Sequence, residues 1–97
     1  MVVADVPAEA RYEARIDGTL AGWMDYRALR GRIAVIHTET LPAFAGRGVG
    51  GALATHVVAD LRARGLLLTP ICPFLVTWLE RHPEHADLVT FGRPARQ

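Results

Sequence analysis

The order of turn signals and apolar runs predicts an α+β domain, an antiparallel β-meander followed by a β-α-β-α crossover onto one mixed sheet. Three observations carry that expectation. Short alternating runs are separated by Asp17-Gly18 and by Leu29-Arg30-Gly31, as in a meander. Val49, Leu53, Val57 and Leu61 recur every fourth residue, the signature of one amphipathic helix. LLLTPIC at 66–72 then follows, short and nearly all apolar, as a strand buried on both faces should be.

The elements follow in order. EARYEARID at 9–17 reads as a strand, with Asp17-Gly18 as its hairpin turn and TLAGWMDYR at 19–27 as its antiparallel partner. RIAVIHTETL is β-branched and reads as a third, central strand, which Pro42 ends by removing a ladder donor. The helix spans Val49 to Arg64, with Gly65 as its C-cap. The strand at 66–72 should pair in parallel with 33–41 through a right-handed crossover. Pro73 suits the first position of a second helix, PFLVTWLERH, because its missing N–H would be unbonded there anyway. His82-Pro83 breaks that helix, PEHADLV forms a short last one, and GRPARQ at 92–97 reads as a frayed tail. There is no internal repeat and no linker, so residues 1–97 read as a single minimal domain.

Composition excludes several classes of function. The chain has 97 residues, 51% of them hydrophobic and 22% charged, a globular balance. No apolar run reaches the roughly 18 residues of a membrane span, and MVVADVPAEAR lacks the features of a secretory leader. A cytoplasmic location without membrane attachment is the expectation. A net charge of +1 gives no reason to expect nucleic acid. All 11 basic residues are arginine, which removes lysine Schiff-base chemistry. Cys72 is the only cysteine, so neither an internal disulfide nor a multi-cysteine metal site can form. His56, His82 and His85 are not at zinc-binding spacings, so no metal is expected.

PAFAGRGVGG at 42–51 is the most informative stretch. Gly46, Gly48, Gly50 and Gly51 stand just before a helix, where glycine lets the backbone approach a ligand and the first turn offers unpaired amides. Such a turn seats phosphate. A purely structural turn is the competing reading, but four glycines in six residues would each cost about 0.5–1 kcal/mol in an ordered element. A Walker A loop would need Lys-Ser/Thr where Gly50-Gly51-Ala52 stands. A dinucleotide fingerprint would need G-x-G-x-x-G early in the chain, whereas the spacing here is G-x-G-x-G after three predicted strands. The pyrophosphate of an acyl-coenzyme A is the remaining candidate.

HTETLPAFAGRGVGGALATHVV at 37–58, together with LLLTPICPFLVTWLERHPEH at 66–85, resembles the Gcn5-related N-acetyltransferases, and among them the very small single-domain branch. Gly48 and Gly50 match the two glycines of that family's R/Q-x-x-G-x-G/A loop, while Ala45 stands where Arg or Gln is usual. The resemblance implies a sheet whose two parallel strands splay apart. It also implies an acetyl-CoA cofactor whose pyrophosphate lies on the backbone of Gly46, Arg47, Gly48, Val49, Gly50 and Gly51. Backbone groups near Thr38, Glu39 and Thr40 would hold the pantetheine arm like an added strand. The reaction implied is acetyl transfer to an amine. The chain has almost none of the N-terminal helices that shape an acceptor pocket in larger members. An open acceptor site is therefore expected, suited to a protein or peptide amine, or completed by a partner chain or homodimer.

Catalytic candidates are Cys72, His37 and Glu39. The resemblance puts Cys72 nearest the acetyl group, as a transient nucleophile or as the acid for the leaving thiolate; the alternative is a small buried hydrophobe. His37 and Glu39 share one strand face and Thr38 and Thr40 the other, because side chains alternate. A histidine oriented by a carboxylate suits a general base. A bulge near the splay could exchange the two faces. Many family members place a glutamate base earlier on this strand, near Ala34 here, and a tyrosine acid in the following helix, where this chain has Trp78. The leading expectation is an acetyl-CoA-dependent N-acetyltransferase. The alternatives are a non-catalytic CoA-binding or regulatory module and a small structural domain.

Overall fold

The computed structural model describes residues 1–91, so the tail expected at 92–97 lies outside the described residues. Five strands, β1 (Val2–Val6), β2 (Arg11–Ile16), β3 (Thr19–Leu29), β4 (Arg32–Thr40) and β5 (Leu67–Pro70), form one sheet in sequential order. The first four are antiparallel and β5 pairs in parallel with β4. Two helices, α1 (Val49–Arg64) and α2 (Pro73–Glu80), follow β4 and β5, and a 3-10 helix spans Pro83–Leu88.

Local chemistry explains most of this. Asp17 and Gly18 both have positive φ (51° and 80°), as a two-residue mirrored hairpin turn requires. Gly65 ends α1 in the left-handed region, with Leu66 N–H donating to Leu61 O and Gly65 N–H to Arg62 O, a Schellman closure. α2 stops at Glu80, two residues before the expected end, because the residue preceding Pro83 avoids helical geometry.

Two expectations need correction. The strand at the N-terminus, β1, has no counterpart among the expected strands, and the expected strand from Glu9 begins at Arg11, since Pro7–Glu9 form a 3-10 turn closed by Ala10 at φ 54°. The strand expected to be third and central is therefore the fourth. It lies next to the edge strand β5, and four strands precede the glycine loop instead of three.

One face of the sheet carries the core. Tyr12, Ala14, Met24, Tyr26, Ile33, Val35 and Leu68 pack there against Val49, Leu53, Val57 and Leu61 of α1, Leu75 of α2 and Leu88. The opposite face carries Arg11, Glu13, Trp23, Asp25, His37 and Glu39 on paired positions of β2, β3 and β4. Glu13 is buried on that face between Arg11 (2.8 Å) and Arg15 (3.1 Å). The Arg11 hydrogen bond is the main reason its carboxyl titrates below its ordinary value.

A polar clamp fastens α1 to the sheet. Tyr12, fully buried, donates to Asp60 (2.7 Å), Tyr26 donates to Asp5 (2.7 Å), and Arg64 reaches both carboxylates. Burial, reinforced by the bond to Asp5, pushes the Tyr26 phenol up to about 12. For Asp60, burial acts upward but is outweighed by the bonds from Tyr12 and Arg64, which leave its carboxyl below the ordinary 3.8. A depressed carboxyl contributes stability that is present above its unfolded pKa and lost as pH falls through its folded one. Tyr12→Phe is therefore expected to cost about 1–3 kcal/mol near pH 7, by losing a bond to a charged acceptor. That cost should shrink below about pH 4 as Asp60 protonates. Urea unfolding of both proteins at pH 7 and pH 3 checks it; a difference independent of pH would refute the linkage.

Candidate active site

β4 and β5 part company after four residue pairs, Arg32–Val35 against Leu67–Pro70. Pro70 explains the end of the ladder, since it has no N–H to donate. Val35 O instead accepts from Ile71 N–H (3.0 Å) and Cys72 N–H (3.1 Å), and the chain then turns into α2. β4 runs on to Thr40 with only β3 beside it, which leaves a gap.

A bulge in β4 decides what faces that gap. Asp25 pairs with His37 but Tyr26 pairs with Val35, so Ile36 is the extra residue. Val35 lies on the core face, and after the bulge Thr38 does too, opposite Met24. His37 and Glu39 share the other face, as period-two alternation requires, and bond to each other at 2.9 Å between His37 Nε2 and Glu39 Oε1. They are exposed, at 56% and 43% of their side chains. Asp25 stands opposite His37, and Trp23 opposite Glu39. The Trp23 indole donates to Asp25 (3.2 Å), with the Arg11 guanidinium 4.8 Å from its ring centre.

Leu41 N–H donates to Ala21 O, so stepping by two along the antiparallel ladder aims the main-chain groups of Glu39 and His37 at β3. Those of Thr38 and Thr40 point into the gap. Of the three residues expected to bond the pantetheine through their backbone, Glu39 is therefore already engaged, and Thr38 and Thr40 carry the free groups.

Cys72 lies at the apex, 3% exposed. Its sulfur caps α2 by accepting from Leu75 N–H (3.4 Å), and Thr38 Oγ1 lies 3.0 Å from it, either group able to donate. No sequence signal marked that pairing, because its members are 34 residues apart. The thiol is thus both the buried small residue and a hydrogen-bonded group at the splay.

The glycine loop divides into two kinds of position. Gly46 (φ 78°) and Gly48 (φ 77°) adopt left-handed backbone, and a Cβ at either would meet nothing within 4 Å. They shape the loop and leave its front open. Gly50 serves packing, since a Cβ there would lie 2.6 Å from the Phe74 ring, and Gly51 faces the Trp78 indole. Among the described residues no side chain caps α1, whose first turn holds no acidic residue, so there the amides of Val49, Gly50 and Gly51 have no intrahelical or capping acceptor. Arg47 is exposed, its guanidinium 5.9 Å from the Phe44 ring centre. Ala45 bonds through its backbone, its N–H donating to Pro42 O.

The remaining histidines each lie against an aromatic ring. His56 meets Tyr12 edge-on at 5.8 Å, and His82 and His85 lie parallel to the Trp78 ring. Among the described residues no three His, Cys, Asp or Glu side chains group to hold a metal ion, and no helix is long and apolar enough to cross a membrane. A separate groove of about 410 Å³ lies between α2 and the chain after it, lined by Pro70, Val76, Leu79, Glu80, Ala86, Val89 and Phe91. None of the site residues lines it.

A mixed sheet, parted parallel strands and an open glycine turn on the intervening helix define an acyltransferase-type fold. The family model described as GCN5-related N-acetyl-transferase matches residues 11–88, and the chain belongs to that family. Its fold is similar to the NMR structure of a GCN5-like protein from Staphylococcus aureus, with a TM-score of 0.70 at 20% identity, over 99% of this chain and 94% of that one. No curated protein matches the sequence.

Proposed function

We propose that this protein is an acetyl-CoA-dependent N-acetyltransferase whose acceptor amine approaches across the helix-free face of the sheet. The observation that carries the reading is the conjunction at the splay. A capped, buried thiol bonded to Thr38 lies on one side of the β4 edge, and a His37–Glu39 pair lies on the other. The residues present fit the cofactor. Gly46 and Gly48 leave an open front before unpaired helix amides, and Thr38 and Thr40 offer strand-edge groups to an amide-bearing arm.

When bound, acetyl-CoA supplies an activated acetyl group on a thioester. Loop amides from Gly46 to Gly51 would hold its pyrophosphate. Glu39 would orient His37 through Nε2–H, leaving Nδ1 to accept the proton the amine sheds as its nitrogen bonds to the acetyl carbon. As the carbon–sulfur bond breaks, Cys72 would deliver its thiol proton to the departing sulfur and recover one from solvent through Thr38 Oγ1. A direct transfer of this kind needs no acyl-cysteine intermediate. The unroofed face suits an amine on a peptide or protein, or a site completed by a second chain.

Calorimetry with acetyl-CoA, followed by assay of free thiol release with a panel of peptide and small-molecule amines, tests the proposal. Binding with amine-dependent release is the expected result. Binding with no release on any amine would favour the non-catalytic CoA-binding module. Absence of binding would overturn both readings.

A further inference from the structure

We infer that the acceptor is an aliphatic primary ammonium, its charge drawn by Asp25 and its methylene stem laid on Ile36 and Ile71. The inference rests on the transferase reading above and names the substrate class of that same site.

Asp25 is the direct cross-strand partner of His37. Residues so paired on an antiparallel ladder share a face, with their Cβ atoms about 4.5–5.5 Å apart. The Trp23 indole donates to Asp25 Oδ2 at 3.2 Å, which holds the carboxylate while engaging one of its oxygens. Glu39, the other carboxylate beside the histidine, is taken up by His37 Nε2. Among the described residues no arginine pairs with Asp25: Arg11 and Arg15 are bonded to Glu13, and Arg32 to Thr69. Arg27 stands beyond the bulge, opposite Ala34. A primary alkylamine is a cation near pH 7, as lysine is, and a carboxylate next to the base is complementary to it.

Charge does not account for the two isoleucines. Val35 O accepts from both Ile71 N–H (3.0 Å) and Cys72 N–H (3.1 Å), so Ile71 is fastened at the closed end of the gap, where Ile36 follows Val35. Alternation from Val35 and its partner Pro70 turns both isoleucines away from the core. They are 44% and 56% exposed, and neither belongs to the core cluster. Two large aliphatic side chains thus adjoin His37 and Cys72 in the chain, on the face the acceptor crosses. A hydrocarbon stem would cover them, and each methylene it buries adds affinity.

The protons balance. An ammonium and acetyl-CoA give the amide, the CoA thiol and one proton. His37 relays two protons in turn, the first before attack and the second as nitrogen bonds to the acetyl carbon and the carbon–sulfur bond breaks. One is matched by the proton that the departing sulfur takes from Cys72, and the other goes to solvent. Asp25 meets the ammonium before the first transfer, so its contribution falls on KM and not on kcat.

The test compares pentylamine with O-butylhydroxylamine, an isostere that is uncharged at pH 7, and with ethylamine, which has a shorter stem. Nα-acetyl-lysine amide is assayed alongside to tell a peptide-borne amine from a free one. With acetyl-CoA saturating, kcat/KM is expected to rise about two- to fourfold per methylene. Asp25→Asn keeps an acceptor for the Trp23 indole and removes the charge. It should cut the preference for pentylamine over its uncharged isostere about tenfold, through KM. Ile71→Ser should flatten the dependence on stem length and leave the Kd for acetyl-CoA unchanged. A lysine amide or a pentylamine preferred over the uncharged isostere supports the inference and identifies the source. If Asp25→Asn slows charged and uncharged amines alike, or stem length has no effect in the wild type, the inference is overturned and the transferase reading stands. If the wild-type protein binds acetyl-CoA but acetylates no amine, the transferase reading itself fails and takes this one with it.

Discussion

Gly22→Ala is expected to destabilise this protein more than any other single added methyl group on the sheet, by about 3 kcal/mol. A Cβ at Gly22 would lie 2.5 Å from Glu39 O, 2.8 Å from Val49 Cγ1 and 3.3 Å from Thr40 Cα. Two of those three atoms are backbone of β4, so rotating a side chain cannot relieve the contact. The chain must move, and to do so Glu39 and Thr40 would have to break their ladder with Trp23 and Gly22 on β3 while α1 packs against the same strand. For a domain of this size the loss corresponds to a fall in Tm of more than about 10 °C. Gly18→Ala is the control, because a Cβ there meets nothing within 4 Å and only the positive φ opposes it. Thermal unfolding of both variants decides the matter, and a Gly22→Ala protein melting within a few degrees of wild type would show that β4 yields. Glu39 and Val49 flank the site, so any folded Gly22→Ala fraction should also bind acetyl-CoA more weakly.

Gly22 illustrates what the sequence could and could not convey. Local signals were legible: Asp17-Gly18 made its hairpin, the four-residue apolar period became α1 between its expected ends, and Gly65 closed it. β1 is not legible in the sequence because Asp5 points inward, to Tyr26 and Arg64, and a charged residue on the buried face hides the alternation that would reveal a strand. Pairing of His37 with Glu39 followed from period two alone, but the face they occupy was set by the bulge at Ile36, which no local residue announces. Contacts between distant segments were invisible for the same reason. Gly22 against β4, Thr38 against Cys72 and Gly50 against Phe74 all join residues more than 15 positions apart. Two glycines of the loop, Gly46 and Gly48, have the open, left-handed geometry a ligand seat needs, while Gly50 owes its identity to an aromatic ring.

Cys72→Ala is expected to lower kcat about a hundredfold while leaving the Kd for acetyl-CoA unchanged, the behaviour of a proton donor that touches the reacting sulfur and not the phosphates. The substitution itself is mild for the fold, since the thiol is a small group among apolar neighbours and its loss leaves a methyl in place. Its structural bond, from Leu75 N–H, caps a helix that Pro73 and the packing of Leu75 also hold. Thr38→Val separates the two functions of the pair, because it keeps shape and removes the hydroxyl 3.0 Å from the sulfur. A roughly tenfold fall in kcat there, with KM for the amine unchanged, is expected if Thr38 returns the proton to Cys72. His37→Ala should lower kcat to a similar degree as Cys72→Ala but through the other proton, so raising the pH, which deprotonates the amine without help, should partly restore the His37 variant alone. If Cys72→Ala turns over within about threefold of wild type, the thiol is a helix cap and core residue, and the proton for the leaving sulfur comes from solvent.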